Sequence, residues 1–534
     1  MKKLLLLLII PIIGFSQKEF VNTFTISGFV SDINNGESLI GVNIYSDSLN
    51  LGTTTNSFGF YSLTLPEGEV DVAFSFIGYS TYNKHINLKK NTELNVPLNT
   101  ISKVINEVVL TDQISNVKKT QSSVIAVPIL QIKSIPALFG EIDILKSIQL
   151  LPGVQSGNEG SSGFYVRGGG PDQNLILLDG VPVYNSSHLF GFFSVFNVDA
   201  IKNVKLTKGG FPARFGGRLS SVLEIDMKEG NMKKFQGEGT LGLIASKLTL
   251  EGPIVKDKVS CIVSARRTYV DLLLNAFQNQ TNDAVYGDGE NATEQGYGTT
   301  GGYYFYDLNA KINYKISNKD RIYLSGYFGD DVFALDFSGT GHNELEAEEF
   351  NFGLGWGNKT ATLRWNHLFN EKLFSNTTLT YSRYAFDIDQ GFSSGDYNFD
   401  FAYISGLRDF GAKTDFEFSP NPRHAIKFGS SYTYHDFFPG QLHLDFEHPN
   451  SSKDSVDVDT VFLFSDDLKA HDSFLYIEDE MKINERLKVN VGTHLAIFSI
   501  KQQNYLRLQP RFSGRYLIND KWSLKCSYAE MQQN

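Results

Sequence analysis

The chain has 534 residues, of which 41% are hydrophobic, 20% charged and 13% aromatic, with 48 Gly, 15 Pro and a formal net charge of −11. That balance excludes disorder, a collagen-like chain and a disulfide scaffold, and the acidic charge argues against a nucleic-acid partner. A mean hydropathy of −0.19, with no mature run of about 18 unbroken apolar residues, excludes a polytopic helical membrane protein.

Lys2 and Lys3, the apolar run Leu4 to Ile13 and the small residues Gly14 and Ser16 form the three regions of a secretory signal peptide over 1–16, too short to span a bilayer. Export permits disulfides, but the only cysteines, Cys261 and Cys526, are isolated and make neither a CxxC nor a metal-ligand spacing. No disulfide is expected.

Residues 20–99 read as short alternating runs separated by turns. Thr25 to Val30, Gly41 to Tyr45, Phe60 to Leu65, Val70 to Ile77, His85 to Leu88 and Leu94 to Leu98 alternate with Asn34-Asn35-Gly36, Asn56 to Gly59 and Pro66-Glu67-Gly68. About seven strands at roughly ten-residue spacing indicate a β-sandwich. The stretches SGFVSDINNGESLIGVNIY, GTTTNSFGFYSLTLPEG and FSFIGYSTY resemble the carboxypeptidase regulatory-like domain. This resemblance implies a non-catalytic module of the kind that precedes outer-membrane receptors. Asp32, Asn34 and Asn35 lack the spacing of a calcium loop and read as a turn.

The linker 100–113 holds a β-prone stretch, Ile105 to Asp112. A lone strand can add to a sheet edge of another protein through main-chain hydrogen bonds. Glu107, Val108, Val109, Leu110 and Thr111 resemble the TonB box, which implies TonB as the partner that grips them.

Residues 114–232 carry a short amphipathic helix, Asp143 to Leu151, stopped by Pro152. Two glycine-rich segments follow. Neither GxGxxG after a strand nor GxxxxGK[ST] is present, so the glycines read as backbone turns rather than a phosphate cradle. The order LPGV, YVRGGGPDQNLILLDGVPVY, LTKGGFPARFGGRLSSVLEI resembles the plug domain of TonB-dependent outer-membrane receptors. The resemblance implies a mixed α/β plug inside a barrel, with Arg167, Gly168, Gly169, Asp179, Gly180, Arg214, Gly216, Gly217 and Arg218 as its motif residues. It further implies that Arg167, Arg214 and Arg218 pair with barrel glutamates, since a buried guanidinium needs a carboxylate.

From 233 to 534 the period becomes two. Leu487, Val489, Val491 and Leu495 alternate with Lys488, Asn490, Gly492 and His494. Leu506, Leu508, Pro510, Phe512 and Tyr516 alternate with Arg507, Gln509, Arg511, Ser513 and Arg515. An apolar outer and a polar inner face are what a membrane barrel with a wet interior requires. Short turns at Ser317 to Asp320, Asn370-Glu371, Asn484-Glu485 and Asn519-Asp520 alternate with long acidic loops near 270–302, 336–351, 389–404 and 438–472. His443-x-x-x-Glu447-His448 is one residue off a zinc-hydrolase spacing and lies on no expected helix, so no metal is expected.

The expected fold is mostly β: an N-terminal β-sandwich, a mixed α/β plug and part of an antiparallel transmembrane β-barrel. About thirteen strands are expected against the roughly 22 of plugged transporters, so the chain reads as the N-terminal portion of a longer receptor. The resemblance implies TonB-dependent import across the outer membrane, with a small-molecule, glycan or peptide ligand, outer-membrane lipid around the barrel, a lid lipoprotein as a candidate partner, and the sandwich and plug on the periplasmic side. A receptor or adhesin that does not import is the alternative. A secreted hydrolase would need a nucleophile or metal constellation, and none is found; no cofactor is expected.

Overall fold

The computed structural model describes residues 22–101, 117, 119–121, 123–136, 140–157, 163–273, 298–340, 347–395, 397–448, 456–463 and 468–533. The leader 1–16 and the strand Glu107 to Thr111 lie outside the described residues.

The alternating runs of the first hundred residues form two four-stranded sheets. In one, Thr23–Asp32 pairs antiparallel with Phe60–Pro66 and parallel with Thr92–Glu93 and Val96–Leu98. The other runs Leu51–Thr54, Asn43–Ser46, Gly68–Ser75, Tyr82–Leu88. Ile26, Val30, Leu63 and Leu65 from the first sheet meet Ile44, Val70, Val72 and Phe74 from the second in one core. Eight strands rather than about seven form because Leu51–Thr54 pairs with Asn43–Ser46 and Thr92–Glu93 is long enough for a two-residue ladder.

Phe29 and Phe60 lie out of phase with that core, directly opposite each other across their strands. They bury an aromatic face against the short-turn end of the large sheet, where Leu368 and Phe374 complete a separate cluster. Phe60 and Phe58 lie 5.1 and 5.6 Å from Phe374, centroid to centroid. Arg321 stacks over Phe29 and Arg364 over Phe58. Polar contacts fix the orientation: Ser62 Oγ donates to Glu371 O at 2.8 Å, and Arg321 donates to Ser38 Oγ at 2.7 Å.

The glycine-rich middle forms a five-stranded mixed sheet in the order Val181–Pro182, Asn174–Leu178, Ser221–Met227, Ile201–Lys208, Val124–Val127. Its one parallel pair joins Asn174–Leu178 to Ser221–Met227. The helices Ile129–Lys133 and Ile144–Gln149 supply Ile132, Ile144, Leu145 and Ile148 to its core. Asp143 caps the second helix by accepting from Lys146 N at 3.0 Å.

The remaining strands make one antiparallel sheet of 14, thirteen of them in sequence order from Gln236–Leu241 to Trp522–Ala529. The fourteenth, Val456–Leu463, pairs with the far end of His424–His448. The alternation is directional. On Gly298–Lys315, Asp307, Asn309, Lys311 and Asn313 are all buried, while Leu308, Ile312 and Tyr314 are exposed. On Gln503–Asn519, Gln509, Arg511, Ser513 and Arg515 are buried, while Leu508, Phe512 and Tyr516 are exposed.

The short turns share one chemistry. Asn370, Asn484 and Asn519 each accept from two successive backbone N–H groups two and three residues on, and Asn421 accepts from Arg423 N. An Asn side chain that imitates a backbone turn reverses the chain in the fewest residues.

Where they are described, the expected long loops at 336–351, 389–404 and the start of 438–472 are strand: Asp320–Thr340, Ala347–Asn370, Leu373–Ser394, Tyr397–Asn421 and His424–His448 take in 336–340, 347–351, 389–394, 397–404 and 438–448. A strand of about 25 residues is about 80 Å long, whereas about 9–11 tilted residues cross a bilayer. In the projecting hairpins an apolar residue still recurs at every second position, as in Phe350, Phe352, Leu354 and Trp356, and main-chain pairing continues with it. His443 accordingly sits on a strand and contacts Asp459 at 2.8 Å, and among the described residues no His, Cys, Asp and Glu cluster could hold a metal.

Phe374→Ala removes the ring shared by Phe58 and Phe60 and should weaken docking of the sandwich by about 3–5 kcal/mol. Hydrogen exchange should then rise along Phe60–Pro66 while the sandwich core around Phe74 stays protected.

Candidate functional site: the interface between plug and barrel

The inward face of the large sheet carries charge, and charge buried without a partner is strongly destabilising. The middle domain answers it residue by residue. Asp179 and Gly180 form the tight reversal between Asn174–Leu178 and Val181–Pro182, both with positive φ, 48° and 85°. Asp179 tolerates that region because a short polar side chain can bond locally: its Oδ1 accepts from Met227 N at 3.0 Å. Its Oδ2 lies 2.9 Å from Lys311 Nζ, and Arg364 donates to its backbone carbonyl at 2.7 Å. Burial would raise the Asp179 pKa, but Lys311 and Arg364 hold it below the usual carboxylate value.

His188 is the second anchor. Its Nε2 lies 2.8 Å from Asp307 Oδ1 and its Nδ1 2.5 Å from Asp331 Oδ2. The ring stacks on Phe305 at 4.0 Å. Burial would depress its pKa, yet the two barrel carboxylates raise it to about 9, so the imidazolium persists at neutral pH. Tyr327 donates to Asp307 at 2.7 Å, and the Leu189 N–H donates to Asp331 Oδ1 at 3.0 Å.

The third anchor is Glu141, between Lys247 at 3.1 Å and Arg266 at 3.5 Å. Arg266 bridges back to Asp307 at 2.6 Å and donates to Ser194 O at 2.7 Å. Glu141, His188, Arg266, Asp307 and Asp331 thus form one continuous buried network. Elsewhere the barrel meets backbone: Glu478 accepts from Ala213 N at 2.8 Å, His494 donates to Ala213 O at 2.7 Å, and Asn358 donates to Asn185 O at 2.5 Å. Gly216 is required here by close approach, because a Cβ would sit 2.4 Å from His494 Nε2.

The structure redistributes the expected arginine roles. Arg214 pairs with Glu224 of its own domain at 3.1 Å, Arg167 donates to Ser123 Oγ at 2.7 Å, and Arg218 donates to Gly217 O at 2.7 Å. Among the described residues none of the three pairs with a barrel glutamate. Glu224, shared with Lys205 at 2.9 Å, stands ten residues from Arg214 on the strand that its loop leads into, Ser221–Met227. Burial would raise its pKa, but the two cations bring it down to about 2. Gly168, Gly180 and Gly217 have positive φ, whereas Gly169 is held by contact, its Cβ position lying 2.5 Å from Ser220 Cβ.

The anchors that sequence reading missed are Glu141, His188, Lys247, Arg266, Asp307, Lys311 and Asp331. Charged residues in phase with the buried face of an alternating strand, as Asp307 and Lys311 are, were the available signal.

His188→Leu should leave Asp331 short of its counter-charge and destabilise plug seating by about 3–5 kcal/mol. The His188 pKa of about 9 exceeds its ordinary 6.5, so its contribution is whole below about pH 6.5 and is lost as pH rises through about 9. Plug amides in the wild type should therefore lose hydrogen-exchange protection at lower urea as pH rises across that window. The variant should start low and show little of that pH dependence.

Three family models match the chain in succession: a CarboxypepD_reg-like domain over 26–110, a TonB-dependent receptor plug domain over 116–221, and a TonB dependent receptor-like β-barrel over 277–531. A comparison with curated protein sequences finds no match. Among solved structures, the outer membrane transporter YddB from Escherichia coli is 13% identical with a TM-score of 0.52, covering 77% of this chain and 61% of its own. The ferripyoverdine receptor of the outer membrane of Pseudomonas aeruginosa, bound to ferripyoverdine, is 13% identical with a TM-score of 0.51, covering 78% of this chain and 57% of its own. The chain thus spans less than two thirds of the length of these structures, and the likeness is one of fold. The chain belongs to the TonB-dependent receptor family, with a carboxypeptidase regulatory-like domain ahead of its plug and β-barrel.

Proposed function

We propose that the protein imports a scarce ligand across the outer membrane, with TonB supplying the force by pairing with Glu107 to Thr111. The ligand, a small molecule, glycan or peptide, is taken at the mouth framed by the projecting hairpins. The observation that carries this reading is the polarity of the plug–barrel interface. His188, Asp179 and Glu141 seat the plug by ion pairs and hydrogen bonds to barrel side chains. Each such contact, once pulled apart, leaves two groups that water solvates well, so the opened gap becomes a wet path. An apolar interface would resist both separation and wetting.

The pulling site fits this geometry. Residues 107–111 lie between the last sandwich strand, Val96–Leu98, and the first plug strand, Val124–Val127. Force applied there loads the plug sheet at Val124–Val127, which is an edge strand. The sandwich packed under the barrel turns has to shift for the path to clear, and its aromatic contact with Phe374 is small enough to separate.

Deletion of 105–112 should abolish uptake while leaving ligand binding at the cell surface intact. Unimpaired uptake would reject TonB-driven import, and unimpaired growth with binding alone would favour a receptor that does not transport. Lys311→Met, which strands buried Asp179, should instead loosen the plug by about 3–5 kcal/mol and raise passive leakage of small antibiotics without need of TonB.

A further inference from the structure

The plug is covalently tied at two ends: to the linker ahead of Val124–Val127, and to the barrel through 228–235, between Ser221–Met227 and Gln236–Leu241. The second tie is a fixed bend. Glu229, Asn231 and Met232 are all buried. Gly230 takes a φ of 79°, and a Cβ there would lie 2.5 Å from Cys261 O on the barrel wall. Glu229 O accepts from Ser260 Oγ at 2.7 Å, and Asn231 Oδ1 accepts from Lys233 N and Lys234 N.

The sandwich closes over this bend with one turn, 34–38. Glu37 Oε1 accepts from Glu229 N at 2.6 Å, Ser38 N donates to Glu229 Oε2 at 3.3 Å, and Met232 N donates to Asn35 O at 2.8 Å. Ser38 is fully buried, and its hydroxyl accepts from Arg321 of the barrel at 2.7 Å. Glycine permits the close approach: Gly36 has a φ of 80°, and its Cβ would lie 3.2 Å from Met232 Cβ.

The other flank of the same turn holds the linker. Ile33 N donates to Leu98 O at 3.0 Å, and Asn34 Nδ2 donates to Thr100 Oγ1 at 3.1 Å. Val96–Leu98 runs parallel to 30–32, so the two segments leave the sheet at the same end. Asp32 braces the base of the turn, its Oδ1 accepting from Asn34 N at 2.6 Å and its Oδ2 from Tyr79 Oη at 2.7 Å. Tension on the linker therefore reaches Ile33 and Asn34 first, and passes from them into the grip on Glu229 and Met232. That grip consists of hydrogen bonds, which water replaces once the turn withdraws.

We propose that the turn 34–38 is a lock on the plug's exit, shut at rest and drawn open by the pull on 107–111, so that the plug yields only after the sandwich has let go. The sandwich is then a second gate in series with the plug rather than a passive module beneath it. The inference rests on TonB-driven pulling of the linker and adds to it the order of events.

The test holds the full chain in lipid nanodiscs under constant load, through the periplasmic domain of TonB bound at 107–111, and reads the time until the plug extends. The wild type should give a short step as the sandwich lets go, then the long step of the plug. Glu37→Ala/Ser38→Ala should lose the short step and extend roughly tenfold sooner, whereas Lys84→Gln, on the opposite sheet of the sandwich, should match the wild type. Gly36→Cys/Met232→Cys, in a chain with Cys261→Ala and Cys526→Ala, should give no long step while its disulfide is intact and regain it on reduction. Equal times for the wild type and Glu37→Ala/Ser38→Ala, or a long step with the disulfide intact, would overturn the lock. Heat-modifiable migration on a denaturing gel reports that each variant is folded. If the double variant loses it, Ser38→Ala alone carries the test, with extension roughly threefold sooner. If the TonB domain does not hold the chain, a handle on Thr111→Cys replaces it: the TonB reading then falls, and the same steps decide the lock.

Discussion

A strand that crosses hydrocarbon can be apolar only on alternate residues, because its other face looks into the barrel. That constraint places Asp307, Lys311, Asp331, Lys247 and Arg266 in the interior, where an uncompensated charge is costly. The plug exists in its observed form because it satisfies them. Asp179 takes Lys311, Glu141 takes Lys247 and Arg266, and His188 lies between Asp307 and Asp331. The hydrophobic core of the plug holds its own sheet together, while the charges decide how that sheet sits.

The polarity of these anchors runs opposite to the simplest expectation. The plug contributes carboxylates and a histidine, and the barrel contributes most of the cations. The plug arginines instead stabilise the plug itself, with Arg214 and Lys205 sharing Glu224. An interface of this kind is specific, because each group meets a defined set of partners, His188 between Asp307 and Asp331 and Glu141 between Lys247 and Arg266, yet it opens into water without exposing a large apolar surface. Such an interface suits a domain that has to remain seated at rest and yield to a directional pull.

The sandwich extends the same assembly on the turn side. Its own core is closed by Ile26, Leu65 and Phe74, so the aromatic patch of Phe29, Phe58 and Phe60 is surplus to folding and available for docking. Ser38 links it to both of its neighbours, since its N–H reaches Glu229 of the plug and its hydroxyl receives Arg321 of the barrel. Movement of the plug is therefore felt by the sandwich through Glu229, which also receives Lys202.

Sequence alone determined what is periodic or local. The two-residue alternation of 487–495 and 506–516, the Asn-led turns and the helix capped by Asp143 are each written in neighbouring residues. The motif order of the plug was equally legible, because glycines at Gly168, Gly180 and Gly217 mark backbone conformations that other residues rarely adopt. Tertiary structure decided what depends on distance between remote segments. Nothing local to His188 distinguishes it from any other histidine; it becomes an anchor because Asp307 and Asp331 arrive on two adjacent strands more than a hundred residues later. Strand length was likewise decided by pairing between separate segments, which carries Ala347–Asn370 and Leu373–Ser394 as one ladder well beyond the length that crosses a bilayer.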